Sequence, residues 1–155
     1  METLKDTIAE MEKTADLFAV AIQGASEAAL SKRPDAKNWS AKEIICHVRD
    51  TEEFFFNRFQ MILSFPEPQF SLADAERWVA ERQYLRNDAG EAIWAFGKRR
   101  QETLQFIRQI KPEEWERTCI HKVRGRMTLR DYFQLLAGHD KVHLEQVKRA
   151  LTGQP

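Results

Sequence analysis

The chain has 155 residues, with 24 Lys and Arg against 24 Asp and Glu, so its formal net charge is zero. One domain with a single core is expected at that length, and the charge balance removes the electrostatic basis for binding nucleic acid or a membrane surface. No apolar run approaches the roughly 20 residues that span a bilayer, and the charged opening METLKDTIAEMEK is unlike a secretory signal, so a cytoplasmic protein is expected.

In chain order, a first helix is predicted from Thr3 to Leu30, where Leu4, Ile8, Met11, Phe18 and Ile22 recur at helical spacing and Pro34 closes the segment. The second opens at WSAKEII. Ser40 and Glu43 form a capping box, Trp39 and Ile44 a hydrophobic staple, and the helix should reach Leu63 before Pro66 and Pro68. SLADAERWVAERQYL suggests a short extra helix capped by Ser71. A third long helix is predicted from Asp88 to Ile110, followed by a connection over residues 111–127 with no alternating strand pattern. The last helix opens at MTLRDYF, where Thr128 and Asp131 repeat the capping box and Met127 and Tyr132 the staple, and it should end near Leu151. Four long amphipathic helices predict an all-α, antiparallel four-helix bundle, whose sites form where facing helices point side chains inward.

The last helix carries GHDKVHLEQV. Its apolar stripe reads Leu129, Tyr132, Leu136, His139, His143 and Val147. Residues four apart lie on one helix face, so both imidazoles can reach one point, the geometry of an H-x-x-x-H metal pair. Asp140, not Glu, follows the first histidine, so the protease motif H-E-x-x-H is absent. A zinc site with catalytic potential takes a third protein ligand. His47 lies on an inward stripe with Ile44, Thr51 and Phe55. His121 sits among Lys122, Arg124 and Arg126, where positive charge repels a cation. Against the metal reading stands a plainer one, three separately satisfied core histidines. One divalent ion accounts for all three at once.

WSAKEIICHVRDTE and TLRDYFQLLAGHDKVHLEQVKR together resemble the DinB-like superfamily, also called YfiT-like, over most of the chain. The resemblance implies a four-helix bundle, often a homodimer, that binds one divalent metal, usually zinc or nickel, through His47, His139 and His143. It further implies either thiol transfer with a low-molecular-weight thiol cosubstrate or hydrolysis, on a small-molecule substrate. The family's name reflects induction by DNA damage and implies no DNA binding. A rival from another class is a non-catalytic bundle that uses metal for stability or sensing.

Three further residues are candidates for the site's surroundings. Asp50, one turn after His47, could accept its second ring N–H, or could be an ordinary helix charge. Gln146, one turn after His143, could line the site. Arg100 falls on the apolar line of the third helix between Phe96 and Leu104; it could bind a substrate carboxylate or pair with a structural one. The basic run HKVRGRMTLR could meet an anionic cosubstrate or lie in solvent. No residue stands out as a general base. Cys46 and Cys119 match no zinc or redox spacing and are expected to be reduced thiols.

Overall fold

The computed structural model describes residues 2–155. Helix α1 (Leu4–Ile22) starts at Thr3, which forms a capping box with Asp6. The single helix predicted to Leu30 is in fact two. Gly24 adopts φ +77°, a left-handed conformation that cannot continue a right-handed helix, and α2 (Glu27–Ser31) restarts behind its own cap, Ser26. Helix α3 (Ala41–Ser64) opens on the Ser40–Glu43 capping box, and Arg33 adds two hydrogen bonds to the Glu43 carboxylate at 2.8 and 2.5 Å. The short helix α4 (Ala75–Glu81) is capped by Asp74, three residues later than predicted. Helix α5 (Ala89–Arg108) begins behind Asp88, the position from which it was expected to run, and α6 (Leu129–Leu151) behind its predicted cap, Thr128.

The connection before α6, in which no alternating strand pattern was expected, contains strands. After a 3-10 turn at Pro112–Glu116, β2 (Thr118–His121) and β3 (Gly125–Thr128) form an antiparallel hairpin, and β1 (Gln69–Phe70) adds to β2 in parallel. Cys119 and Met127 are paired across the hairpin and are both buried, so each four-residue strand has too few inward positions to show a periodicity.

Helix α1 packs against α5 and α6, and so does α3, which places α1 diagonally opposite α3 and α5 opposite α6. Helices α3 and α6 run antiparallel, since His47 faces His139 while Phe59 faces Phe133. Helices α3 and α5 run the same way, as the pairs Glu52–Arg100 and Phe56–Phe106 show. The chain leaving α3 must therefore return along the bundle before α5 can begin. Residues 65–88, with β1 and α4, make that return.

The apolar interior divides into two clusters. One gathers Met11, Phe59, Leu104, Phe133 and Leu136; the other gathers Phe18, Ile44, Phe96, Leu144 and Val147. At the level between them each of α3, α5 and α6 contributes a buried charged residue: Glu52, Arg100 and Asp140.

Candidate metal centre

The site lies where α3 and α6 face each other. His47 projects from α3 and is 6 % exposed; His139 and His143 project from α6 and are half-buried. One ring nitrogen from each comes within 4.8 Å of the others. The ring centroids of His139 and His143 are 4.2 Å apart, and His47 lies 5.0 and 4.7 Å from them. Nε2 of His47 and Nε2 of His139 are separated by 2.9 Å, with Thr51 Oγ1 at 3.4 Å from the former.

Protonation in this setting is disfavoured. Burial, reinforced by the other two imidazoles, lowers the pKa of His47 to about 3, and burial with neighbouring His139 lowers that of His143 to about 4. Neutral imidazole is the form that binds metal. His143 Nδ1 is 2.7 Å from Gln146 Oε1, so Nδ1–H donates there and leaves the Nε2 lone pair for a ligand. The donor set passes a test of fit. Two lone pairs facing across 2.9 Å repel each other unless a proton or cation lies between them, and three converging imidazole nitrogens suit zinc or nickel. Among the described residues no further His, Cys, Asp or Glu joins the cluster. A cleft of about 760 Å³ opens beside His139 and His143, walled by Met127, Leu135 and Val142, with Arg124 on the hairpin turn at its edge.

The other predicted residues separate. Gln146 joins the centre as described. Asp50 does not support His47: its carboxylate is taken by Arg49, Arg82 and the Tyr84 hydroxyl, and His47 Nδ1 is buried without a partner. Those three donors outweigh burial and hold the Asp50 carboxyl below its usual pKa. Arg100 is too deep to meet substrate. It donates to both Glu52 oxygens at 2.9 and 2.7 Å, to Met11 O at 3.0 Å, and to Asp140 Oδ2. Burial opposes its charge, but Asp140 and Glu52 overcome this and raise its pKa. His121 Nδ1 accepts from the N–H groups of Val123 and Arg124, which shapes the hairpin turn. Both cysteines are buried thiols whose pKa burial pushes up to about 11, which keeps them unreactive.

Of the expected apolar stripe of α6, Leu129, Tyr132, Leu136 and Val147 are buried, while His139 and His143 lie along the edge of the buried line and Asp140 lies on it, between Leu136 and Leu144. Asp140 was thus overlooked in the sequence, although it lies four residues from both Leu136 and Leu144.

The family model of the DinB superfamily matches residues 10–147. The chain belongs to the DinB superfamily. A relative from Oceanobacillus iheyensis, provisionally named a metal-dependent hydrolase, is 19% identical over 161 residues, covering 98% of this chain and 87% of its own. The uncharacterized protein YuaE of Bacillus subtilis is 23% identical over 143 residues, covering 82% and 86%. Among solved structures, YfiT from Bacillus subtilis superposes with a TM-score of 0.88 at 15% identity, over 94% of this chain and 84% of that one. YfiT is described as a probable metal-dependent hydrolase with an unusual four-helix bundle topology. The match establishes the same fold. No helix among the described residues is long and apolar enough to cross a membrane.

Proposed function

We propose that this DinB protein is a metal-dependent enzyme acting on a small molecule, by hydrolysis or by transfer of a low-molecular-weight thiol. His47, His139 and His143 hold one divalent ion, zinc or nickel. The observation that carries this reading is the convergence of three imidazole nitrogens within 4.8 Å at the wall of an open cleft. A bound divalent ion supplies Lewis acidity there, lowering the pKa of a water or thiol that shares its coordination sphere. The described residues offer three such side chains, so an ion held by them would keep at least one coordination position open for water or thiol. The protein's own groups orient and select: Gln146 fixes the His143 tautomer, and Met127, Leu135 and Val142 offer an apolar wall to substrate.

Metal analysis of purified protein, combined with thiol-consumption and hydrolysis assays over a broad substrate panel, tests the proposal. The expected result is one ion per chain and turnover that disappears in His139→Ala and His143→Ala. A stoichiometric ion without turnover in either assay supports the rival, a metal-stabilised binding or sensing bundle. A cytoplasmic homodimer remains part of the proposal through the family resemblance, and sedimentation at micromolar concentration tests the dimer.

A further inference from the structure

Metal coordination by an H-x-x-x-H pair does not require an acid after the first histidine, yet Asp140 stands there and turns into the bundle interior, 1 % exposed. Its Oδ1 lies 3.7 Å from His139 Nδ1, beyond hydrogen-bond length. That nitrogen is buried and has no closer partner. The other oxygen, Oδ2, accepts from Arg100, and Arg100 is itself fixed by Glu52 and by Met11 O from α1. The carboxylate is therefore anchored from four helices, with one oxygen turned toward a metal-ligand ring.

The charge of this group needs an explanation. Arg100 and Glu52 already make a bidentate, fully buried pair. A second carboxylate leaves two negative charges against one positive, a net −1 in the core. Uncompensated buried charge is strongly unfavourable. Three neutral imidazoles carrying a divalent ion put positive charge on the far side of His139, where it balances that excess.

We propose that Asp140 is a positioning residue of the metal centre, a carboxylate that accepts the Nδ1–H of His139, orients its Nε2 toward the ion and offsets the ion's charge, with Arg100 as its anchor. The inference rests on the metal reading above. It gives the Glu52–Arg100–Asp140 group a role in metal affinity beyond bundle stability.

A matched pair of variants tests it. Asp140→Asn and Glu52→Gln each remove one of Arg100's two carboxylates and leave a neutral buried pair, but only the first changes the group facing His139. Zinc affinity is measured by competition with a chromophoric chelator, and the ligand field by the visible spectrum of the cobalt(II)-loaded protein. Asp140→Asn is expected to weaken zinc binding by about 10- to 100-fold and to alter the cobalt spectrum. Glu52→Gln removes the same net charge but no group facing His139, so it is expected to lose clearly less affinity and to keep the wild-type cobalt spectrum. Equal losses in the two variants, or an unaltered Asp140→Asn, overturn the proposal. If Asp140→Asn does not fold, the zinc-loaded wild type decides: nitrogen-15 NMR should show a slowly exchanging, downfield Nδ1 proton on His139, and a rapidly exchanging one overturns the assignment. A wild-type chain that binds no zinc, nickel or cobalt overturns this proposal together with the metal reading, whereas tight wild-type binding with an indifferent Asp140→Asn overturns this one alone.

Discussion

Gln146 shows how much of a candidate metal ligand's behaviour lies one contact away from it. Its Oε1 takes the Nδ1–H of His143, and in Gln146→Leu that proton loses its acceptor and the ring its orientation. Metal affinity should fall by about 10- to 100-fold while the fold is retained, as read by chelator competition and circular dichroism. Arg100 should behave in the opposite way. In Arg100→Met two carboxylates remain buried without their shared cation, so stability should drop by about 3–5 kcal/mol in urea unfolding. The three histidines were legible because types and spacing suffice to nominate ligands. The partners of those histidines were not. Asp50 follows His47 at one helical turn but is captured by Arg82 and Tyr84, which belong to the segment after α4 and have no local sequence relation to it. Glu52, Arg100 and Asp140 each fall on an inward line of a different helix, a signal that was present in the sequence but readable only with all three helices compared.

Caps carried most of the information about elements. Ser40 and Thr128 mark the starts of the two ligand-bearing helices to the residue, because each satisfies otherwise orphaned N–H groups in a recognisable S/T-x-x-E/D pattern. Ser40→Ala should cost about 1–2 kcal/mol in thermal or urea unfolding. The effect belongs toward the upper end because Ser40 and Glu43 are both fully buried. The break between α1 and α2 was missed because AIQGASEAAL contains good helix formers on both sides of one glycine, and a single Gly is tolerated within helices. Its φ of +77° is what ends α1. A Cβ at Gly24 meets nothing within 4 Å, so Gly24→Ala isolates backbone strain from steric clash and should destabilise by about 1–2 kcal/mol. The hairpin escaped notice for a different reason: strands this short bury one residue each, and the third strand, β1, that joins them pairs Gln69 with Ile120, far away in sequence.

For the whole molecule, acid should act through the metal centre before it acts through the carboxylates. An unfolded histidine gains a proton below about pH 6.5, whereas folded His47 and His143 remain neutral down to about 3 and about 4. Between those limits the unfolded chain binds more protons. Stability of the metal-free protein should therefore fall as pH drops from about 6.5 toward 4, by up to about 1.4 kcal/mol per pH unit for each of the two residues. Urea titrations across that range check it: the slope should flatten in a His47→Gln, His143→Gln double variant, and an unchanged slope would refute the assignment. Below this window Asp50 and Asp140, whose pKa values are lowered in the fold, lose their ion pairs as they protonate, and stability falls further. The bundle architecture was legible from helix count, length and amphipathicity. The shared direction of α3 and α5 was not, because periodicity says which face of a helix is buried and nothing about which neighbour covers it.

His47 and His139 stand 92 positions apart along the chain. During synthesis His47 therefore emerges well before His139 and His143, which lie 92 and more positions further along the chain. On the proposed metal reading, three-point capture of an ion must await the docking of α6, so loading would be a late step in folding. The same separation means that an ion held there would close a loop through more than half of the described chain, tying α6 to the rest and slowing its escape when the molecule opens.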